Sequence, residues 1–198
     1  MLDGRWIGPD NESILMDRAT RREFLTRLAL AAPAMLVADR AVLAADSLAG
    51  TASRSLRFHH THTGESLAVE YFSRGSYAPD ALEAINRHLR DFRTGEEHVI
   101  DPSLLDLLHR IQAATHTSVP FEVISGYRSP KTNQMLREKS SGVAASSLHM
   151  QGKAIDIRLR DVPLSTLRAA ALDLRAGGVG YYPDSQFVHV DTGRVRRW

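Results

Sequence analysis

Cysteine is absent from the 198 residues. That excludes a disulfide framework and any thiolate metal site, so a transition metal here must be held by nitrogen and oxygen. It does not choose a compartment, because cysteine-free chains suit the cytoplasm and oxidising spaces alike. A large excess of one charge sign is also missing: 25 Lys and Arg face 23 Asp and Glu, a formal net charge of +2. So even a balance indicates no nucleic-acid partner. Nor is there a membrane-spanning run. The alanine-rich stretch from Leu28 to Val37 contains Pro33 and is followed by Asp39-Arg40, and a span needs about 20 apolar residues. No internal repeat is visible. What remains has the composition and length of one ordinary folded domain.

The first residues carry an address. Thr20-Arg21-Arg22-Glu23-Phe24-Leu25 is an arginine pair before a bulky apolar residue, followed by the weakly hydrophobic run and by small residues from Val42 to Ala45. A charged region, a modest apolar stretch and a small-residue cleavage site describe a secretory signal. The paired arginines resemble the twin-arginine signal, which a receptor of the export machinery reads and which does not anchor the chain. The expected division is a signal region over 1–45 and a folded domain over 46–198, in the periplasm or cell envelope. Met16 is a second possible start, since 1–15 are long for such a charged region.

Beyond Ala52 the pattern mixes α and β. Ser55 to Thr61 and Ser66 to Phe72 read as strands around His62-Thr63-Gly64-Glu65, a turn with glycine where positive φ is needed. Leu82, Ile85 and Leu89 give Pro79 to Phe92 a helical period. Asp101-Pro102 is an N-cap followed by proline at the first helical position, opening a helix to Thr115 with Leu104, Leu105, Leu108 and Ile111 inward. Strands are expected at Phe121 to Ser125 and Ala154 to Leu159, helices from Ser129-Pro130 to Lys139 and from Pro163 to Arg175. Gly178 to Tyr182 and Gln186 to Asp191 read as a closing hairpin turned at Pro183-Asp184. The sum is an α+β domain with an antiparallel sheet and flanking helices.

The chemistry concentrates in Ser147-Leu148-His149-Met150-Gln151-Gly152-Lys153-Ala154-Ile155-Asp156 and in Phe187-Val188-His189-Val190-Asp191. His149 falls where a loop enters a strand, Asp156 within that strand and His189 in the last one. Strand side chains alternate, so Phe187, His189 and Asp191 share a face. A histidine and an aspartate facing inward are costly unless compensated, and a divalent cation compensates both. Two imidazoles and a carboxylate suit Zn2+ with one position open, which makes a Lewis acid for hydrolysis. Non-haem iron uses the same donor types, so they do not name the metal. Three further histidines, His59, His60 and His62, have no carboxylate at convincing spacing and read as hairpin residues. The basic tail from Arg194 to Trp198 reads as a solvated end with a docked ring.

The pattern Ser147-x-His149-x-x-Gly152-x-Ala154-x-Asp156 with a later strand histidine resembles zinc peptidases of the D-alanyl-D-alanine carboxypeptidase type, which share the hedgehog-domain fold. The closer resemblance is to their exported murein endopeptidase branch. It is carried also by His62-Thr63-Gly64-Glu65, Ser125-Gly126-Tyr127-Arg128-Ser129, Gly177 to Tyr182 and Phe187 to Asp191, and it spans Leu56 to Trp198. The resemblance implies His149, Asp156 and His189 as zinc ligands and peptidoglycan stem peptides as substrate, with Ser125, Tyr127 and Ser147 against the substrate. Arg128, following a buried strand, is placed to hold a substrate carboxylate or a developing oxyanion.

One position departs from the pattern. Many of these peptidases carry an acid three residues before the last histidine, as general base. Here that residue is Gln186. Asp191 is the nearest substitute, as base or as the group that orients a ligand, and Asp184 is a less suitable one. The sequence therefore favours a zinc-dependent murein endopeptidase. Its rivals are a non-hydrolytic peptidoglycan-binding module on the same fold and a D,D-carboxypeptidase.

Overall fold

The computed structural model describes residues 53–139 and 142–198; the expected signal region, with its arginine pair and cleavage site, lies outside the described residues. In chain order the elements are β1 (Arg54–His60), β2 (Ser66–Ser73), β3 (Ser76–Tyr77), α1 (Pro79–His88), α2 (Pro102–Thr115), β4 (Phe121–Ser125) and α3 (Pro130–Lys139). A 3-10 turn (Leu148–Gln151), β5 (Ala154–Arg158), α4 (Leu164–Asp173), β6 (Gly178–Tyr182), β7 (Phe187–Asp191) and β8 (Arg196–Arg197) follow. The strands form one sheet in the order β3-β2-β1-β4-β5-β7-β6-β8. This is the α+β architecture expected, with flanking helices. Most neighbours are antiparallel, while β1 pairs with β4 and β6 with β8 in parallel. The β1–β4 pair is parallel because α1 and α2 lie in the connection between them, the crossover that parallel strands require.

The helices form where local chemistry allows. Asp101 caps α2, its carboxylate accepting from the Ser103 amide at 2.9 Å, and Pro102 fills a position whose N–H has no helical partner. Leu104, Leu105, Leu108 and Ile111 are fully buried, and each such side chain contributes about 1.5–3 kcal/mol of burial. They pack with Leu56, Phe58, Phe121, Val123, Ile155, Ile157, Val188 and Val190 from the strands. Helix α1 stops at His88, four residues earlier than its periodicity suggests. Asp91 has another task there: its carboxylate accepts from the Arg93 amide at 2.9 Å and the Ser129 amide at 2.8 Å, bracing this loop against the one that follows β4.

Alternation sorts the two faces. Ile155, Ile157, Val188 and Val190 point into the helix-covered core, so Asp156 and His189 point to the other face. A register shift between Val123 and Ser125 sets Ser125 opposite Asp156. Asp156 stands opposite His189, and His189 opposite Gly180. One row across four strands therefore reads Ser125, Asp156, His189, Gly180. Its two small ends leave room above the two functional side chains.

The C-terminal segment differs from expectation. Arg196 and Arg197 form an edge strand on β6, the Trp198 amide donates to the Val179 carbonyl, and the Tyr181 amide donates to that of Trp198. The tail is built into the sheet because Gly178 and Gly180 have no side chains to exclude it: a Cβ on Gly178 would lie 2.4 Å from the Arg196 guanidinium.

Candidate metal centre

His149 comes from the 3-10 turn, Asp156 from β5 and His189 from β7, and all three are buried. His149 Nε2 lies 3.1 Å from His189 Nδ1, His189 Nδ1 lies 2.9 Å from Asp156 Oδ1, and His149 Nε2 lies 3.3 Å from Asp156 Oδ1. Among the described residues this is the one group of three or more histidines and acids whose donor atoms converge, all within 4.8 Å of one another.

The second nitrogen of each ring fixes what the first can offer. His149 Nδ1 is 2.8 Å from the Gly126 carbonyl, which only accepts, so Nδ1 carries the hydrogen and Nε2 a lone pair. His189 Nε2 donates to Asp191 Oδ2 at 3.0 Å. In the neutral ring Nδ1 is then also a lone pair. Two lone pairs and a carboxylate face one point, an arrangement that a cation satisfies. The protein supplies a proton in part: burial lowers the His189 pKa, but the carboxylates of Asp156 and Asp191 overcome it and raise it to about 9. Burial holds His149 below its ordinary value, against the pull of Asp156. Burial pushes Asp156 up, yet the two histidines bring it well below the usual carboxylate range. The donor set fits a zinc ion.

The turn that carries His149 depends on Gly152. This residue has φ +65°, and a Cβ there would lie 2.1 Å from the Val99 carbonyl oxygen. Its own carbonyl accepts from the Asp101 amide at 2.9 Å, tying the turn to the cap of α2.

Asp191 is fully buried, and both its oxygens are occupied. Oδ1 accepts from the amides of Gly178 and Gly193 at 3.0 and 2.8 Å and from Arg196 Nη1 at 3.1 Å; Oδ2 accepts from His189 Nε2 and from Arg196 Nη2 at 2.7 Å. Burial raises its pKa, but His189, Arg196 and the two amides hold it well below the usual range. So enclosed, the carboxylate bears on His189 through that ring's outer nitrogen, and the side chain is shut off from solvent. Gln186 is exposed, has φ +57° and donates from its side chain to the Pro183 carbonyl. Asp184 is exposed on the hairpin turn.

The three donors open into a cavity of about 650 Å3. Arg128 and Ser147 line it as expected; Ser125 and Tyr127 do not. Ser125 is small and buried beside Asp156 in the sheet row, and Tyr127 stacks on His98 with ring centroids 4.8 Å apart while its amide binds the Leu89 carbonyl. The same loop still serves the site: Gly126 supplies the carbonyl that holds His149, and the Arg128 amide donates to the His149 carbonyl at 3.2 Å. Arg128 Nη2 is 3.5 Å from Asp156 Oδ2, and its Nε is buried with no hydrogen-bond partner among the described residues. Burial lowers its pKa, Asp156 opposing. Among the described residues Asp156 is the one carboxylate lining the cavity.

Sequence reasoning missed Arg196, Tyr182, Phe187 and Trp198 as cavity residues. The available signal was the pair of glycines at 178 and 180, each admitting a tail side chain.

A mixed sheet with two histidines and an aspartate converging above it belongs to the D-alanyl-D-alanine carboxypeptidase-like peptidases, as the sequence motif suggests. Residues 48–198 match the family profile described as Peptidoglycan L,D-endopeptidase MepK, and the chain belongs to that family. It is similar to the peptidoglycan L,D-endopeptidase MepK of Escherichia coli (strain K12), with 47% identity over 145 residues that are 73% of this chain and 80% of that protein. It is also similar to the probable peptidoglycan L,D-endopeptidase MepK of Haemophilus influenzae, with 45% identity over 146 residues, 73% and 78% of the two chains. Among the described residues no helix is long and apolar enough to cross a membrane.

Proposed function

We propose that this protein is a zinc-dependent peptidoglycan endopeptidase of the cell envelope, with the L,D bond specificity that the names of its relatives carry. The observation that carries the zinc reading is the pair of imidazoles whose outer nitrogens are tied to Gly126 and Asp191, leaving both inner nitrogens and Asp156 aimed at one point. His149, Asp156 and His189 hold the ion. When bound, zinc supplies Lewis acidity and a water nucleophile available near neutral pH. Asp191 orients His189 and keeps its outer nitrogen protonated. Arg128, desolvated beside Asp156, directs its guanidinium at the oxygen on which charge develops as the amide carbonyl is attacked. Ser147 and the cavity walls receive the peptide. The export reading follows from the substrate, which lies outside the cytoplasm, together with the arginine pair of the leader.

A second reading is kept by one observation: among the described residues, no carboxylate apart from Asp156 lines the cavity to serve as base. A peptidoglycan-binding module without turnover has the same surface. Digestion of purified muropeptides by the full chain, beside His149→Ala, separates the two. New internal fragments that vanish on chelation and in the variant are expected. Tight binding with no fragments would favour the module, and release of only a terminal residue would identify a carboxypeptidase. Arg128→Ala is expected to lower kcat by about 100-fold or more, with stoichiometric zinc retained; unchanged kcat would remove Arg128 from the chemistry.

A further inference from the structure

Trp198 is half-exposed, yet it is held in place from several directions. Its indole Nε1 donates to the Tyr182 hydroxyl at 2.7 Å, and its ring centroid lies 5.2 Å from that of His189. The Arg196 guanidinium sits 4.9 Å from the indole centroid, and the backbone on both sides is paired to β6. Beneath the ring is Gly180, where a Cβ would come within 2.7 Å of Trp198 Cε2. Only glycine at that register position, directly opposite His189, lets the indole occupy this place. An aromatic ring serving only as packing is normally buried; this one is 48% exposed and lines the cavity beside a metal-site histidine. Leu136, Val143 and Leu148 line the same cavity. A fixed aromatic ring in a cavity that also has aliphatic lining can hold hydrocarbon, because large rigid rings bind with little loss of conformational entropy.

Resting on the endopeptidase reading, we propose that Trp198 is a substrate-positioning platform: its indole packs against the aliphatic side chain of a residue flanking the scissile amide and sets that amide over the three ligands. The chain has two tryptophans, Trp6 and Trp198, so Trp6→Phe leaves Trp198 as the sole fluorophore. Zinc-depleted Trp6→Phe protein, titrated with an L,D-cross-linked muropeptide dimer, should show a saturable change in tryptophan emission. Trp198→Ala should raise KM about ten-fold with zinc content unchanged and a smaller effect on kcat, and Trp198→Phe should recover part of the loss. Unchanged KM in Trp198→Ala, or flat emission in the titration, would overturn the platform. So would a loss of zinc in Trp198→Phe that accounts for the whole fall in activity, because the ring would then only prop His189. If the Trp6→Phe protein with zinc cuts no muropeptide, it is the endopeptidase reading that fails. The emission titration still decides whether Trp198 meets the ligand.

Discussion

At the scale of single residues the site is a chain of contacts, Arg196 to Asp191 to His189 to Asp156, in which each member sets the charge or orientation of the next. Asp191→Asn keeps the volume but removes the charge and offers an amide hydrogen where His189 needs an acceptor. Zinc affinity should fall by about 10–100-fold, measurable by competition with a chelating indicator. Near-full activity with zinc retained would exclude Asp191 from the reaction. Metal and proton compete at His189. Its pKa in the metal-free fold is raised to about 9, so the proton is held below that pH, and that contribution to stability is present below about 6.5 and lost as pH rises through about 9. Bound as proposed, zinc displaces this proton. Binding at pH 7–8 should release about one proton and weaken as the pH falls, which titration calorimetry in buffers of different ionisation enthalpy will show. His149, already neutral through burial, adds none.

At the scale of elements, strands and helices with a clear period could be read from the sequence, and alternation places Asp156 and His189 on strand faces, whereas His149 is marked by the Ser147-to-Asp156 motif. Three features could not. Strands of two residues, β3 and β8, have no period to read. The 3-10 turn at Leu148–Gln151 resembles a loop in composition, although Ser147 and Gly152 bracket it. The shift at Val123–Ser125 depends on pairing with β5, which lies far along the chain, so the place of Ser125 in the row beside Asp156 is not legible from its own strand. Gly152→Ala tests the turn. It forces a side chain into the left-handed region and into the Val99 carbonyl, and should destabilise the domain by about 2 kcal/mol or more while lowering zinc occupancy. Thermal melts with and without zinc will read both effects.

At the scale of the whole molecule, the half of the sheet away from the metal centre sets the response to acid. His60 and His88 are buried, and Nε2 of each has no hydrogen-bond partner among the described residues. Burial lowers the His60 pKa to about 4, helped by repulsion from His88 and His62, and burial lowers that of His88 as well. The unfolded chain therefore takes up these protons first. Stability should fall as the pH drops from about 6.5 towards 4, by up to about 1.4 kcal/mol per pH unit for each proton. Urea midpoints across that range should decline for the parent protein and decline less for His60→Leu; parallel slopes would assign the acid response elsewhere. On the other half, Asp156 and His189 face each other across two hydrogen-bonded strands inside the sheet. Their separation is set by the ladder between the strands, so two of the three donors stay in register whether or not an ion sits between them. His149, on the Leu148–Gln151 turn, is the donor outside this ladder. Such a socket is expected to be stripped and recharged under native conditions, with cobalt or manganese taking the place of zinc without a refolding step.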